Sequence, residues 1–233
     1  LVAAEVAPAP GAWIERWRSV EGAARSSLAV VMAPGGDVTE PVAALESLSA
    51  VPDGGVLVAA SSMPVRDLEW FVPPRAGIRV VANRGANGID GVTSTAVGVA
   101  STWTPTVLLI GDVAFLHDTN ALLGLARRGV SLVIVVVDND GGGIFSFLPH
   151  AEELDRERFE RLFATPHGVD VVAVAEAHGV PAERVSSRAG LRSALSGAVS
   201  RGGTRVIAVR SDRHANVEVH RRLTDAVASG LDA

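Results

Sequence analysis

The chain has no cysteine, no lysine and no tyrosine among its 233 residues. Without cysteine there are no disulfides, no thiolate metal sites and no cysteine nucleophile. All 21 basic residues are arginine, which excludes Schiff-base lysines and the phosphate-gripping lysine of a Walker-A loop. With tyrosine also missing, Tyr-x-x-x-Lys dehydrogenase chemistry is excluded as well. The net charge is −5 and no basic run occurs, so non-specific binding to nucleic acid or to an anionic membrane is not expected. The apolar runs are too short to span a bilayer, and Leu1 to Pro10 carries no targeting signal. A cytoplasmic location is expected. The first residue is Leu1 rather than Met, which suits a fragment or a processed product. Catalysis must therefore rest on Asp, Glu, His, Arg, Ser, Thr, backbone groups or a cofactor.

What is present reads as a globular α/β chain, 48% hydrophobic and 20% charged. Residues 1–12 are read as a linker or the end of a preceding domain, and 13–233 as one domain. The spacing of Trp13, Trp17, Val20, Ala24, Leu28 and Val31 predicts a long helix, ended by Pro34-Gly35-Gly36. Thr39 caps a second helix through Leu48, with Pro41 in its first turn. Strands are then predicted at 55–60, 78–82, 106–110, 131–137 and 204–210. Helices are predicted at 63–71, 91–103, 112–128, 152–163, 170–178, 189–200 and 213–229. Strands that are apolar throughout, alternating with helices, imply a doubly wound, mainly parallel sheet with helices on both faces. Ligands of such sheets sit outside the carboxyl ends of the strands.

Four loops at those ends carry candidate chemistry. Ser61-Ser62-Met63-Pro64-Val65-Arg66 reads either as an anion site at a helix start or as a simple cap with a surface arginine. Asn83-Arg84-Gly85-Ala86-Asn87-Gly88-Ile89-Asp90-Gly91 reads either as a close backbone approach to a ligand or as a tight turn. Asp112 after Gly111 caps its helix or holds a hard cation. Asp138-Asn139-Asp140-Gly141-Gly142-Gly143 offers oxygen ligands for Mg²⁺ beside phosphate, followed at once by Ile144, Phe145, Phe147 and Leu148. A right-handed crossover sets Asp112 and Asn139 at neighbouring strand ends, as a clamp for one cation and a diphosphate.

Gly111-Asp112, followed one helix and one strand later by Asp138-Asn139, resembles the signature of thiamine-diphosphate enzymes. Val113 stands where the signature has Gly, and Asp138 where it has the first Asn. The 83–91 loop, Gly111-Asp112-Val113-Ala114-Phe115-Leu116-His117-Asp118 and the stretch from Asn139 to Pro149 resemble more narrowly the MenD family of the menaquinone pathway. The resemblance runs from about Trp13 to the C-terminus and covers only that family's diphosphate-binding domain. It implies the ThDP-binding fold and the cofactors thiamine diphosphate and Mg²⁺, with Mn²⁺ as a substitute.

The resemblance assigns the metal to Asp112, Asn139 and the Gly141 carbonyl. It gives the cofactor Ser61, Ser62, Gly88, Ile89, Gly111, Val113, Ala114, Gly142 and Ile144 in addition, with Ile89 propping its bent form. Ser62, Arg66 and Arg84 would meet substrate carboxylates, and Ile144, Phe145 and Leu148 would wall the thiazolium. The implied substrates, 2-oxoglutarate and isochorismate, carry two carboxylates each, which suits arginine. An apolar wall favours CO₂ loss by desolvation. The family's activating Glu lies in an N-terminal pyrimidine-binding domain, and no Glu here matches its motif. No catalytic residue is therefore assigned within this chain. Each active site would need that domain from a second subunit of a homodimer or homotetramer, so the chain alone is expected to have little or no turnover.

Three other readings stand beside this one: half of another ThDP-dependent 2-oxoacid decarboxylase or carboligase, a non-catalytic partner-binding module, and a nucleotide-binding Rossmann-like domain. The last lacks Gly-x-Gly-x-x-Gly after the first strand. His117 and Asp118 are expected to organise the Asp112 loop. His150, His167, His178, His214 and His220 show no metal-ligand spacing and are read as structural or solvated.

Overall fold

The computed structural model describes residues 8–33, 37–86 and 88–231. The stop signal at 34–36, Asn87 and the first seven residues of the linker lie outside them. The chain forms two compact units, one up to Ala33 together with Val219 onward, the other Pro34–Glu218.

The smaller unit holds α1 (Gly11–Val31) and the C-terminal part of α11 (Arg213–Leu231). Helix α1 starts two residues ahead of Trp13. Of its apolar positions Leu28 is buried, while Trp13 and Trp17 stay exposed, with their rings edge to face at 5.9 Å. Gly230 lets the two helices approach closely, because a Cβ there would strike Ser27 Oγ.

The larger unit is built on six parallel strands in the order β2-β1-β3-β4-β6-β5. They are β1 (Val56–Ala59), β2 (Arg79–Ala82), β3 (Thr106–Gly111), β4 (Leu132–Asp138), β5 (Ala182–Val185) and β6 (Thr204–Arg210). The helices between them are α2 (Glu40–Ala50), α3 (Met63–Phe71), α4 (Val92–Ala100), α5 (Asp112–His117), α6 (Leu125–Arg128), α7 (His150–Glu153), α8 (Arg156–Phe159), α9 (Val171–Ala177) and α10 (Arg188–Arg201). Every residue of β1 and β4 is buried, as expected for strands covered on both faces. One core cluster joins Val58, Leu108, Ile110, Ile134 and Val206 of the sheet to Phe115, Leu122 and Leu125.

Three expectations change. The helix at 112–128 is broken into α5, a 3₁₀ turn at Thr119–Leu122 and α6. Asp118 leaves the helical conformation, and its carboxylate accepts Ser94 N–H at 2.7 Å and Ser94 Oγ–H at 3.0 Å. It thus ties down the first turn of α4 rather than the Asp112 loop. The helix at 152–163 becomes α7, α8 and a π-helical turn at Glu160–Ala164. Strand β5 has no counterpart in the expectations, because Ala182-Glu183-Arg184-Val185 lies at the sheet edge with a polar face and no apolar run.

Strand order reverses between β1 and β3: the chain steps from β1 outward to β2 and then returns across β1 to β3. Open α/β sheets bind ligands at this kind of switch point. The β3–β4 register pairs Gly111 with Val137, so Asp112 and Asp138 leave adjacent strands at one level.

Candidate functional site

A cavity of ≈ 780 Å³ opens at the carboxyl ends of the strands. Ser61 and Ser62 enter it from the loop after β1, Arg66 from the first turn of α3, and Arg84, Gly88 and Ile89 from the loop after β2. Gly111 comes from the end of β3, Asp112, Val113 and Ala114 from the start of α5, and Asn139, Gly141, Gly142, Ile144 and Phe145 from the segment after β4. Leu148 is the one assigned residue the cavity wall does not include. It caps the 3₁₀ turn Gly143–Phe147 through its N–H to the Phe145 carbonyl, and its side chain is 41% exposed.

Asp112 is the junction of the site. It is 1% exposed and is the first residue of α5, with Gly111 in the cap position. Its Oδ1 accepts Val113 N–H at 2.7 Å. Its Oδ2 accepts Asn139 N–H at 3.1 Å, Gly141 N–H at 3.0 Å and the ring of His167 at 3.1 Å. A plain helix cap would not reach across to the next strand's loop. Burial pushes the Asp112 pKa up, against the lowering effect of the Gly141 N–H, His167 and the Val113 N–H.

The loop after β4 is held from several sides. Arg213 donates to the carbonyls of Asn139, at 2.8 Å, and Asp140, and pairs with Glu160 at 2.7 Å. Asp140 Oδ1 accepts the N–H groups of His167 at 3.0 Å and Gly168 at 2.8 Å. Gly141 has φ +137, and a Cβ there would collide with the Ala164 carbonyl. A Cβ on Gly143 would stand 2.6 Å from Asn139 Nδ2. The Gly141 carbonyl accepts Gly143 N–H at 2.9 Å. Asp138, which replaces the signature's first Asn, is neutralised by Arg210 Nη1 at 3.1 Å from both of its oxygens.

Backbone strain gathers at the same place. The non-glycine residues with positive φ among those described are Ser62, Asp140 and Thr165. Ser62 and Thr165 line the cavity, and Asp140 sits between two lining residues. Conformations of this kind persist only where surrounding contacts enforce them. Ser62, at φ 74 and ψ −138, makes no side-chain cap bond, so the simple-cap reading of that loop does not hold. Arg66 Nη1 donates to the Ser62 carbonyl at 2.7 Å.

Phe145 stands on an aromatic stack: it meets Phe163 edge-on at 5.8 Å, and Phe163 stacks on Phe159 at 5.9 Å. The apolar side of the cavity therefore has a stiff backing.

Two polar residues of the site escape the sequence reading. His167, read as structural or solvated, contacts Asp112, and Val169 N–H donates to its Nδ1 at 3.0 Å, which places the ring proton on Nε2. Asp112, Asp138 and His167 bring ligand atoms within 4.8 Å of one another. The only signal was the turn-forming string Thr165-Pro166-His167-Gly168. The second is Glu40, 2% exposed at the start of α2, whose Oε1 accepts Asn139 Nδ2–H at 2.9 Å. Burial pushes its pKa up to about 7, with Asp67 and Asp112 adding to the rise and Asn139 and Ser211 opposing it. In the sequence Glu40 looks like an ordinary acidic residue at a helix N-terminus.

The donor set suits a hard cation with phosphate. Asn139 Oδ1 is buried without a hydrogen-bond partner, and glycine at 141–143 lets the loop pack closely, since a Cβ on each would strike Ala164, Phe145 or Asn139. No helix among the described residues is long and apolar enough to cross a membrane.

Residues 66–209 match the family model described as thiamine pyrophosphate enzyme, C-terminal TPP binding domain. The chain is 46% identical over 224 residues to the 2-succinyl-5-enolpyruvyl-6-hydroxy-3-cyclohexene-1-carboxylate synthase of Myxococcus xanthus, and 40% identical to that of Chloroflexus aurantiacus. In each case the alignment covers 95% of this chain and 38% of the relative, so the chain spans well under half the length of these proteins. Among solved structures, a putative thiamin diphosphate-dependent enzyme from Mycobacterium smegmatis superposes with a TM-score of 0.58 at 22% identity, over 76% of this chain and 32% of the other. Benzoylformate decarboxylase from Polynucleobacter necessarius gives 0.58 at 20% identity, over 73% of this chain and 32% of the other. These two share the fold.

Proposed function

The chain belongs to the thiamine pyrophosphate enzyme family through the C-terminal TPP binding domain, and from that premise we propose that it is the diphosphate- and metal-binding part of a 2-succinyl-5-enolpyruvyl-6-hydroxy-3-cyclohexene-1-carboxylate synthase. The full protein would decarboxylate 2-oxoglutarate and add the succinyl unit to isochorismate. The observation that carries the metal-and-diphosphate reading is the junction at Asp112: its carboxylate organises the Asn139–Gly141 loop, while the buried Asn139 Oδ1 is left without a partner.

In this reading Asp112, Asn139 and the Gly141 carbonyl hold Mg²⁺, and the glycine run receives the diphosphate. Thiamine diphosphate supplies the electron sink for decarboxylation when bound. Ile89 supports the cofactor from the second loop. Ser62, Arg66 and Arg84 orient the carboxylates of the substrates, and Arg66 also holds the strained Ser62 backbone. Ile144 and the backed ring of Phe145 exclude water from the reacting carboxylate. The activating Glu would come from a pyrimidine-binding domain on a second subunit of a homo-oligomer.

The test is an assay of CO₂ release from 2-oxoglutarate, with isochorismate compared against other acceptors. A polypeptide joining this chain to its pyrimidine-binding domain should turn over and prefer isochorismate. This chain alone should not turn over, and measurable decarboxylation by it would refute the shared-site reading.

A further inference from the structure

Glu40 lies in the cavity wall, and neither the metal nor the substrate assignments use it. Its Oε1 accepts one hydrogen of the Asn139 amide at 2.9 Å. The same nitrogen lies over Gly143, whose missing Cβ would come within 2.6 Å of it. The amide's other end, Oδ1, is buried and has no partner. A side-chain amide can exchange its two ends by a half-turn. Here the exchange would set a carbonyl oxygen against a carboxyl oxygen and put the NH₂ group where Oδ1 now stands. An NH₂ group cannot ligate a cation, and a ligand amide held in the wrong sense costs binding.

The geometry points to Glu40 as a positioning residue: it fixes the sense of the Asn139 amide so that Oδ1, not Nδ2, is presented to the divalent cation. This rests on the cation reading above. Residues that orient metal ligands typically contribute about 10–100-fold in metal affinity. Glu40 and Asn139 stand 99 positions apart, on different elements, so no sequence spacing links them.

The test measures Mn²⁺ affinity by electron paramagnetic resonance, in the presence of thiamine diphosphate, with melting temperatures recorded alongside. Glu40→Met keeps the side-chain length and removes the acceptor, and should weaken Mn²⁺ by about tenfold or more. Glu40→Gln retains an acceptor oxygen and should recover most of that loss. In an Asn139→Ala background, Glu40→Met should cost nothing further, because the amide it would orient is gone. Should Glu40→Met fail to fold, Glu40→Gln against Glu40→Ala makes the same comparison. Unchanged affinity in the acceptor-free variant, or an equal loss with and without Asn139, overturns the inference while leaving the cation reading intact. Mn²⁺ binding that ignores Asp112→Ala would instead overturn the cation reading, and this inference with it.

Discussion

Asp112 and Gly141, at the ends of neighbouring strands, meet at 3.0 Å, with the carboxylate accepting the glycine N–H. The contact needs Gly141 in a backbone conformation, φ +137, that side chains rarely adopt, with Ala164 packed where a Cβ would go. Gly141→Ala should therefore cost about 1–3 kcal/mol in urea unfolding. It should also weaken thiamine diphosphate binding, since the loop cannot keep its place against Asp112. An alanine variant with unchanged stability and affinity would show that the close packing is not needed.

Away from the site, Glu46 joins α2 to α10. Its buried carboxylate accepts Arg188 Nε at 2.5 Å and Arg192 Nε at 2.6 Å. The Arg188 side chain is 10% exposed and the Arg192 side chain 55%. Glu46→Ala removes the buried carboxylate that both arginines share and should lose about 1.5–3 kcal/mol by chemical denaturation. Arg192→Ala removes a solvated partner and should leave the melting temperature almost unchanged.

Acid sensitivity has an identifiable contributor at the start of α11. Asp212 accepts Ala215 N–H at 2.8 Å, and that bond outweighs burial to hold its pKa below the ordinary 3.8. The folded protein thus binds fewer protons than the unfolded chain in this window, so stability rises with pH there. The contribution is complete above 3.8 and fades as the pH falls through the lowered folded value. The melting-temperature gap between the parent and Asp212→Ala should be steady above that pH and close below it.

Much of this was legible in the sequence. The central strands declare themselves because burial on both faces demands unbroken apolar runs, as in Leu132–Val137. The loops that build the cavity follow from the ends of those strands. Strand β5 was not legible, because an edge strand needs no apolar run and Glu183 and Arg184 hide it. The break after His117 depends on Asp118 reaching Ser94, a contact no local pattern announces. The same holds for His167 and Glu40. Their roles come from what they touch, and each contacts a residue from a distant part of the chain. Ser62 shows the converse: the sequence puts it in a loop at a strand's carboxyl end, and the structure adds that it lines the cavity with a strained backbone.

Substrate handling gives a further prediction. Arg84 lines the cavity and is exposed to it. Hydrogen bonds to charged groups contribute about 1.5–3 kcal/mol, so the proposed contact of Arg84 with a substrate carboxylate predicts that Arg84→Ala in the full enzyme raises KM for that substrate by roughly 10–100-fold. A smaller change in kcat than in KM would mark a binding role. Equal KM in parent and variant would remove Arg84 from the substrate site.

Asp112 is the residue on which a metal-dependent diphosphate site would depend. Calorimetric titration with thiamine diphosphate, with and without Mg²⁺, on the parent and on Asp112→Ala, tests this most directly. Binding that requires Mg²⁺ and disappears in the variant is the predicted result. Binding of equal strength without the metal, or in Asp112→Ala, would contradict it.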